Sequence, residues 1–257
     1  MHTFKHKDDI TTENKVKEKE ISNNVGEGLQ LPNAQWSFSG PVAESFDTHI
    51  NKSIPFYPVN HQLIKNLSDF FIRPQSTCYD LGCSTGKLLN LLSKSHPSTV
   101  NWVGLDREQN MIEKARQNAL KDEVYAQYLC EDISTYDYEK SDLIISCYTM
   151  QFISPAIRQN VLKKIYDALN WGGAFIMFEK VRAPDARFQD ICSTLYTDYK
   201  LEQGHTSSEI IAKTRSLKGR LSPFSTAGNM GLLERAGFTD IMIAFKYICF
   251  EGYLCIK

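Results

Sequence analysis

Residues 77–86, TCYDLGCSTG, decide the fold of this chain. The first half of the stretch has the β-branched, aromatic and apolar composition of a short strand. Gly82 and Gly86 follow it, and they allow the backbone to turn sharply off the strand and to lie close to a ligand, which a Cβ atom would prevent. The stretch therefore predicts a strand–turn–helix unit of an α/β domain, with a ligand at the turn.

The spacing of the turn limits the kind of ligand. From Asp80 to Gly86 it reads D-x-G-x-x-x-G, which differs from the dinucleotide fingerprint G-x-G-x-x-G, and no Lys-Ser or Lys-Thr pair follows as in a P-loop. A glycine turn without a phosphate-binding device suits a ligand that has no pyrophosphate, such as S-adenosylmethionine. Similar turns occur in βα units that bind nothing, so this hypothesis depends on the strands that follow.

Acidic residues come at the ends of the next predicted strands. Residues 101–105 form a second buried strand that ends in Asp106, and residues 124–130 form a third that is followed by Asp132. In an open parallel sheet, ligands lie at the carboxyl ends of the strands. A carboxylate at Asp106 can accept both ribose hydroxyls, and one at Asp132 can accept an adenine amino group. Together with Asp80, these two residues favour an adenosyl-binding pocket over the alternative that each acid is an unrelated, solvated turn residue.

Helical and strand patterns alternate along the middle of the chain. Amphipathic spacing predicts helices at residues 60–71, 87–94, 108–119 and 155–169. Apolar runs predict further strands at residues 142–147 and 174–178. Alternating βα units of this length indicate a parallel sheet with right-handed crossovers.

The C-terminal region narrows the fold. A helix that ends in glycine is predicted at residues 230–238, and two strands follow at 241–245 and 248–254. Strands this close in sequence cannot be parallel, so one of them runs antiparallel. The expected fold is α/β, a Rossmann-like doubly wound sheet of seven strands with the last strand antiparallel, which is the layout of class I methyltransferases.

Composition excludes several classes of partner. The chain has 257 residues, with Lys+Arg 29 against Asp+Glu 30, and the net charge of −1 offers no field for direct nucleic-acid binding. No apolar run approaches the roughly 18 residues of a membrane span, and the N-terminus lacks the apolar core of a signal peptide. The 7 cysteines include no C-x-x-C pair, which favours reduced thiols and no metal site. We expect a cytoplasmic protein.

The chain divides into a charged N-terminal segment and one domain. Residues 1–31 are rich in Lys, Glu, Asp and Asn with isolated apolar residues, which predicts a disordered tail. Residues 32–257 are expected to form a single domain. A helical cap is expected at 32–72, and a helical insertion or lid at 183–225.

Motifs spread over most of this domain resemble those of carboxy-S-adenosyl-L-methionine synthases, which have the class I methyltransferase fold and act in tRNA wobble-uridine modification. The most specific are the W-x-F and V-A-E-x-F opening together with Y-D-L-G-C-S-x-G. The shared pieces lie at residues 36–46, 53–57, 79–86, 111–113, 149–152, 164–174, 179–180 and 209–213.

The resemblance implies S-adenosyl-L-methionine or its carboxylated form as cofactor, and a homodimer whose insertion helps to close the pocket. In this family a carboxylate passes from prephenate to the activated methyl group of the cofactor, and an arginine after the insertion's lysine holds the new carboxylate. The cofactor-binding residues predicted from the turn and the resemblance are Tyr57, Asp80, Gly82, Cys83, Ser84, Gly86, Asp106, Arg107, Met111, Asp132, Ile133 and Cys147.

Two positions depart from the family pattern and leave three functions open. At the first, Thr214 follows Lys213 directly, and arginine comes one place later as Arg215. On a helix one position corresponds to a rotation of about 100°, so Arg215 need not point in the same direction as the family's arginine. At the second, Cys147 replaces an asparagine of the family. The first hypothesis is therefore an S-adenosylmethionine-dependent methyltransferase that acts on a small-molecule acceptor. The alternatives are the prephenate-using synthase and a non-catalytic adenosyl-binding partner subunit. Candidates for the acceptor side are Tyr57, Tyr148, Gln151, His205 and Arg215.

Overall fold

A computed structural model describes residues 22–40 and 42–257. The expected disordered tail covers residues 1–31, and residues 1–21 of it lie outside the described residues. Residues 22–31 differ from the expectation, because Val25 and Leu29 are buried in an apolar cluster with Trp36 and Met111. A hydrogen bond from the Val25 N–H to the Leu29 carbonyl (3.0 Å) closes the turn between them. The packed part of the chain therefore begins before residue 32.

A sheet of seven strands forms the centre of the described residues. The strands are β1 (Thr77–Leu81), β2 (Asn101–Asp106), β3 (Gln127–Cys130), β4 (Ser141–Cys147), β5 (Leu169–Lys180), β6 (Asp240–Tyr247) and β7 (Phe250–Ile256). They lie in the order β3-β2-β1-β4-β5-β7-β6. Neighbours from β3 to β5 are parallel, and β7 is antiparallel to both β5 and β6. The predicted sheet, with its last strand antiparallel, is confirmed.

Helices cover both faces of this sheet. They are α1 (Val42–Ser53), α2 (Tyr57–Ser68), α3 (Lys87–Ser95), α4 (Gln109–Asp122), α5 (Pro155–Ala168), α6 (Ala186–Glu202), α7 (Ser207–Ser216) and α8 (Thr226–Ala236). One face is covered by α2, α3 and α4, which bury Ile64, Leu89 and Ile112 against it. The other is covered by α5 and α8 through Leu162 and Leu233. The fold is thus doubly wound.

One boundary differs from the sequence pattern. The sequence pattern predicts a strand at residues 174–178, but β5 already begins at Leu169. At Gly173 a Cβ atom would lie 2.9 Å from the Asp142 carbonyl oxygen of β4, so glycine here allows close strand approach.

Two helical segments outside the βα units border the carboxyl ends of the strands. Helices α1 and α2 lie where the sequence predicts a cap, and α6 and α7 lie where it predicts an insertion. Both segments contribute side chains to one cavity. In the ranges that the structure describes, no helix has the length and apolar character needed to cross a bilayer.

Candidate functional site

The candidate site is the cavity at the carboxyl ends of β1, β2, β4 and β5, under α1, α6 and α7. In an open α/β sheet this edge is where ligands bind, because the loops that leave the strands can separate there. The cavity has three parts that differ in chemistry: an acidic end, a neutral middle and a basic end.

The glycine turn after β1 forms the floor of the acidic end. Gly82 has φ of +74°, and a Cβ atom there would lie 2.3 Å from Oγ1 of Thr149, so only glycine fits. The turn is fixed to β2, because the Gly82 and Cys83 N–H groups both donate to the Leu105 carbonyl, at 2.7 and 2.9 Å. The resulting bare backbone is the kind of cradle that a nucleoside needs for close approach.

Carboxylates line the acidic end. The two oxygens of Asp106 accept the N–H groups of Ser84 and Glu108, each at 3.0 Å, which fixes the carboxylate at the end of β2. Burial raises the pKa of Asp106, and burial together with the neighbouring Asp106 charge raises the pKa of Asp80 to about 7. Asp132 completes this end, and its Oδ1 accepts the N–H of Ser134 at 2.8 Å. These hydrogen-bond acceptors suit the hydroxyl and amino groups of an adenosyl ligand, which donate.

Neutral side chains form the middle of the cavity, beyond β4. The rings of Tyr57 and Tyr148 lie 6.1 Å apart, and the Asn60 amide donates to the Tyr148 hydroxyl at 2.7 Å. Tyr148 adopts φ of +62°, an uncommon backbone conformation that turns the chain at the end of β4. Burial raises the pKa of both phenols well above the usual value. Burial also raises the pKa of the Cys147 thiol, so all three groups are uncharged at neutral pH.

Three lysines form the basic end. Lys180 ends β5, and Lys200 and Lys213 come from α6 and α7. The ammonium groups of Lys180 and Lys200 lie over the ring of Tyr196, at 4.3 and 4.4 Å from its centroid. Lys200 is buried, and Lys180 and Lys213 are half-buried. Within the described residues none of the three forms an ion pair, although buried lysines are usually paired. This end is therefore suited to an anion.

Capping at the start of α7 determines where Lys213 lies. The Thr206 N–H donates to the Glu209 carboxylate (2.8 Å), and the Glu209 N–H donates to the Thr206 hydroxyl (3.3 Å). This capping box begins the helix at Ser207 and places Lys213 on its second turn, at the cavity wall.

The Lys213 amine is held by α1. Its Nζ donates to Nε2 of His49 and to Oγ of Ser53, the latter at 2.7 Å. Burial, followed by the charges of Lys200 and Lys180, lowers the pKa of Lys213 to about 7. Burial, followed by the Lys213 charge, lowers the pKa of His49 to about 2, so this imidazole is neutral, and in its Nδ1–H tautomer Nε2 accepts the hydrogen bond from Lys213.

Most of the residues predicted from the sequence line this cavity, but three do not. Gly86 lies behind the cavity wall as the N-cap of α3. His205 is buried behind Lys213, with its ring centroid 5.9 Å from that of His49. Arg215 lies outside the lining and uses its carbonyl to accept the Ala34 N–H at 3.0 Å. The predicted residues at the cavity are Tyr57, Asp80, Gly82, Cys83, Ser84, Asp106, Arg107, Met111, Asp132, Ile133, Cys147, Tyr148 and Gln151.

The Gln151 amide is engaged by the backbone. Its Oε1 accepts the Lys180 N–H at 2.9 Å, and its Nε2 donates to the Tyr148 carbonyl at 3.1 Å. The side chain therefore ties the end of β5 to the end of β4, and so positions Lys180 and Tyr148 relative to each other.

Sequence reasoning missed the three lysines as a group. Lys180 and Lys213 lie in the shared pieces at residues 179–180 and 209–213, but Lys200 lies in none of these pieces. The one signal for Lys200 is the aromatic residue four positions earlier on the same helix, Tyr196, since residues at this spacing are neighbours on a helix.

Comparison with known proteins identifies the class of protein to which this fold belongs. A family model described as a methyltransferase domain matches residues 79–173. The S-adenosylmethionine-dependent methyltransferase SibL superposes with a TM-score of 0.59 at 18% identity, over 83% of this chain and 58% of SibL. Human N-acetylserotonin methyltransferase, solved with S-adenosylmethionine, superposes with a TM-score of 0.57 at 17% identity, over 84% of this chain and 55% of that one. The fold is that of the class I S-adenosylmethionine-dependent methyltransferases.

Two bacterial relatives define the family. The chain is 36% identical over 224 residues to carboxy-S-adenosyl-L-methionine synthase of Staphylococcus epidermidis, covering 87% of this chain and 97% of the relative. It is 36% identical over 228 residues to the synthase of Campylobacter jejuni, with coverages of 89% and 97%. The chain belongs to the carboxy-S-adenosyl-L-methionine synthase family, as its motifs indicated. It is an S-adenosylmethionine-dependent transferase, and the predicted cofactor is confirmed.

Proposed function

We propose that this chain forms carboxy-S-adenosyl-L-methionine by transferring a carboxylate from prephenate to S-adenosylmethionine. One observation carries the proposal: Lys180, Lys200 and Lys213 meet at the cavity wall around Tyr196 and Ser53. A methyl acceptor without charge would leave these ammonium groups without a partner. Prephenate is a dicarboxylate, and the carboxylated product adds a further anion beside the adenosyl part.

The order of strands supports a division of the cavity between the two reactants. Asp106 and Lys180 lie at the ends of β2 and β5, which are three strand positions apart, or roughly 14 Å. The adenosyl part would then lie over β1 to β3, and the dicarboxylate at β5. Cys147 and Tyr148, at the end of β4, lie between these two places.

Each part of the chain has a distinct task in this proposal. Bound S-adenosylmethionine would supply a methyl group whose hydrogens the adjacent sulfonium makes acidic. The methyl carbon would exchange one proton for the carboxylate carbon of prephenate; that proton would leave with the ring hydroxyl of prephenate as water, and prephenate would become phenylpyruvate. Asp106 and the bare turn at Gly82 hold the adenosyl part, and the lysines hold and orient the carboxylates. The uncharged Tyr57 and Tyr148 exclude water from the place where the two reactants meet. Lys180 and Lys200 take the charge-binding task that an arginine has in the family, because Arg215 lies outside the cavity.

The experiment is incubation of the purified chain with S-adenosylmethionine, with and without prephenate, followed by mass spectrometry of the adenosyl products. We expect carboxy-S-adenosyl-L-methionine only when prephenate is present. The variant Arg215→Ala should retain this product, because the side chain does not border the cavity. Absence of the product from the wild-type chain, with the cofactor bound, would refute the proposal.

Methyl transfer to a small acceptor that carries a carboxylate is the second candidate. The observation in its favour is that Arg215 lies outside the cavity. The residue at the family's arginine position is Thr214, which carries no charge and whose hydroxyl donates to the Ile210 carbonyl at 2.8 Å. The adenosyl ligand that co-purifies from a bacterial host separates the two. S-adenosylhomocysteine without the carboxylated form favours methyl transfer, and tight binding without turnover favours the non-catalytic partner subunit.

We also propose that two copies of the chain associate through α6. Phe188, Ile191 and Leu195 share one face of this helix and are 45%, 51% and 49% exposed. A helix face with three large apolar side chains in water is typical of an interaction surface. Since α6 also carries Lys200 and Tyr196, association through this face would hold the basic end of the cavity in place.

A further inference from the structure

The amine of Lys213 has the environment of a nucleophile. A neutral amine has two N–H groups and one lone pair in tetrahedral arrangement around the nitrogen. Here the hydrogen bonds to His49 and Ser53 use two positions, and Cε uses a third. The lone pair therefore takes the one direction around the nitrogen that these partners leave free. A ligand in the cavity can reach this amine, because Lys213 lines the cavity.

The neighbours of Lys213 keep this amine partly unprotonated at neutral pH. The charges of Lys200 and Lys180 oppose a third ammonium group, and no carboxylate in the described residues pairs with it. A lysine that is desolvated beside another cation is a known route to an amine nucleophile for carbonyl compounds. The two remaining ammonium groups are suited to hold a carboxylate next to the carbonyl.

We propose that Lys213 forms an imine with the carbonyl carbon of a 2-oxo acid whose carboxylate is held by Lys200 and Lys180. This proposal rests on the proposed function, because prephenate, the carboxylate donor proposed there, carries a 2-oxo acid side chain. The lone pair of Nζ forms the C–N bond, and the carbonyl oxygen becomes a hydroxyl group. That oxygen then leaves as water with the two hydrogens of the amine, and the C=N bond forms. Hydrolysis reverses each step, so no oxidant or reductant is needed.

Reductive trapping tests this inference without any cofactor turnover. The full chain is incubated at neutral pH with pyruvate and cyanoborohydride, digested, and sequenced by mass spectrometry. Lys218, which is exposed and lies just after α7, serves as an internal control. We expect Lys213 to gain one reduced pyruvate at least ~10-fold faster than Lys218, because the lowered pKa of Lys213 leaves about half of its amine unprotonated at neutral pH and the neighbouring ammonium groups hold the carboxylate of pyruvate beside it. Equal rates at the two lysines would overturn the proposal.

Two variants show whether the neighbouring ammonium groups direct the reaction. Lys213→Arg keeps the positive charge and cannot form an imine, so the adduct at this position should disappear. In Lys200→Met the trapping rate at Lys213 should fall several-fold, since the carboxylate of pyruvate loses a partner. An unchanged rate in Lys200→Met would refute the role given to Lys200.

The trapping and carboxylation assays separate this inference from the proposed function. A chain that labels Lys213 but forms no carboxylated cofactor refutes the proposed function and supports the imine site. A chain that forms carboxylated cofactor without preferential labelling of Lys213 supports the proposed function and refutes the imine site.

Discussion

Lys180 and Lys200 place their ammonium groups over one aromatic ring, that of Tyr196, at 4.3 and 4.4 Å from its centroid. The Tyr196 hydroxyl donates to the Ser53 carbonyl at 2.8 Å, so the ring is fixed to the end of α1. Two cations are thereby held at the same part of the cavity by cation–π contacts, and no carboxylate among the described residues pairs with either of them. Such an arrangement is favourable when a bound anion neutralises it.

Lys200→Met should weaken binding of the dicarboxylate and leave cofactor binding unchanged. Methionine keeps most of the apolar stem, so the change removes the charge more than the packing. Loss of one charged partner in a desolvated site should raise the apparent KM for prephenate by about 10–100-fold. Lys121→Met, at an exposed position on α4, is the matched control.

The two ligands give separate measurements for these variants. The carboxylation assay reports the KM for prephenate, and calorimetric titration reports the Kd for S-adenosylmethionine. An equal loss of affinity for both ligands in Lys200→Met would contradict the division of the cavity into an acidic and a basic end.

Gly82→Ala should abolish cofactor binding and destabilise the fold. The new Cβ would lie 2.3 Å from Thr149 Oγ1, and the residue would keep φ of +74°. Overpacking of this kind costs about 1–3 kcal/mol and the left-handed backbone about 1–2 kcal/mol. Gly172→Ala is the matched control, because Gly172 has φ of +79° and nothing lies within 4 Å of its Cβ position.

Urea unfolding of the two alanine variants separates the two costs. Gly172→Ala carries only the backbone cost and should bind S-adenosylmethionine as the wild type does. If the two variants lost equal stability and bound the cofactor equally well, the close contact at Gly82 would have no role in the site.

The fold and the acidic end could be predicted because their signals are local. The strand and turn at residues 77–86 and the acid at Asp106 lie within single βα units, and the sheet then brings their ends together by its regular geometry. The basic end has no such signal. Lys180, Lys200 and Lys213 come from a strand and two helices, and only the packing of α6 and α7 on the cavity brings them together.

The position of Arg215 could not be predicted from spacing alone either. A shift by one residue left open whether the side chain reaches the cavity. The start of α7 decides the question, because the Thr206–Glu209 capping box sets the rotation of the helix and directs Lys213 inward. The Arg215 and Ser216 carbonyls instead accept the Ala34 and Trp36 N–H groups, both at 3.0 Å.

Leu195→Glu should dissociate the homodimer that we propose. A carboxylate at the centre of the apolar face of α6 cannot be buried without a partner, whereas in the monomer it stays in water because Leu195 is 49% exposed. Sedimentation velocity should show a shift to the monomer, with far-UV circular dichroism unchanged. Leu120→Glu, on α4 and 81% exposed, is the control for an added charge. A wild-type chain that sediments as a monomer at high concentration would refute the dimer.

Lys213 should make the stability of the chain depend on pH. Burial, followed by the charges of Lys200 and Lys180, lowers its pKa from the usual 10.5 to about 7. Between these two pH values the unfolded chain therefore binds more protons at this residue than the folded chain does. The contribution of Lys213 to the free energy of unfolding consequently rises as the pH rises from 7 towards 10.5, and it is least favourable below pH 7.

Lys213→Met removes this contribution, so the comparison with the wild type isolates it from all other titrating groups. Between pH 7 and pH 9 the free energy of unfolding of the wild type should rise relative to that of the variant by about 1–2 kcal/mol. At pH 7 the variant should be at least as stable as the wild type, since replacing a half-buried ammonium group with an apolar group of similar size removes a desolvation cost. Urea unfolding at the two pH values measures both differences, with Lys218→Met as the exposed control. Parallel pH profiles for the wild type and Lys213→Met would show that Lys213 keeps an ordinary pKa, and the unprotonated amine at the cavity wall would then be ruled out.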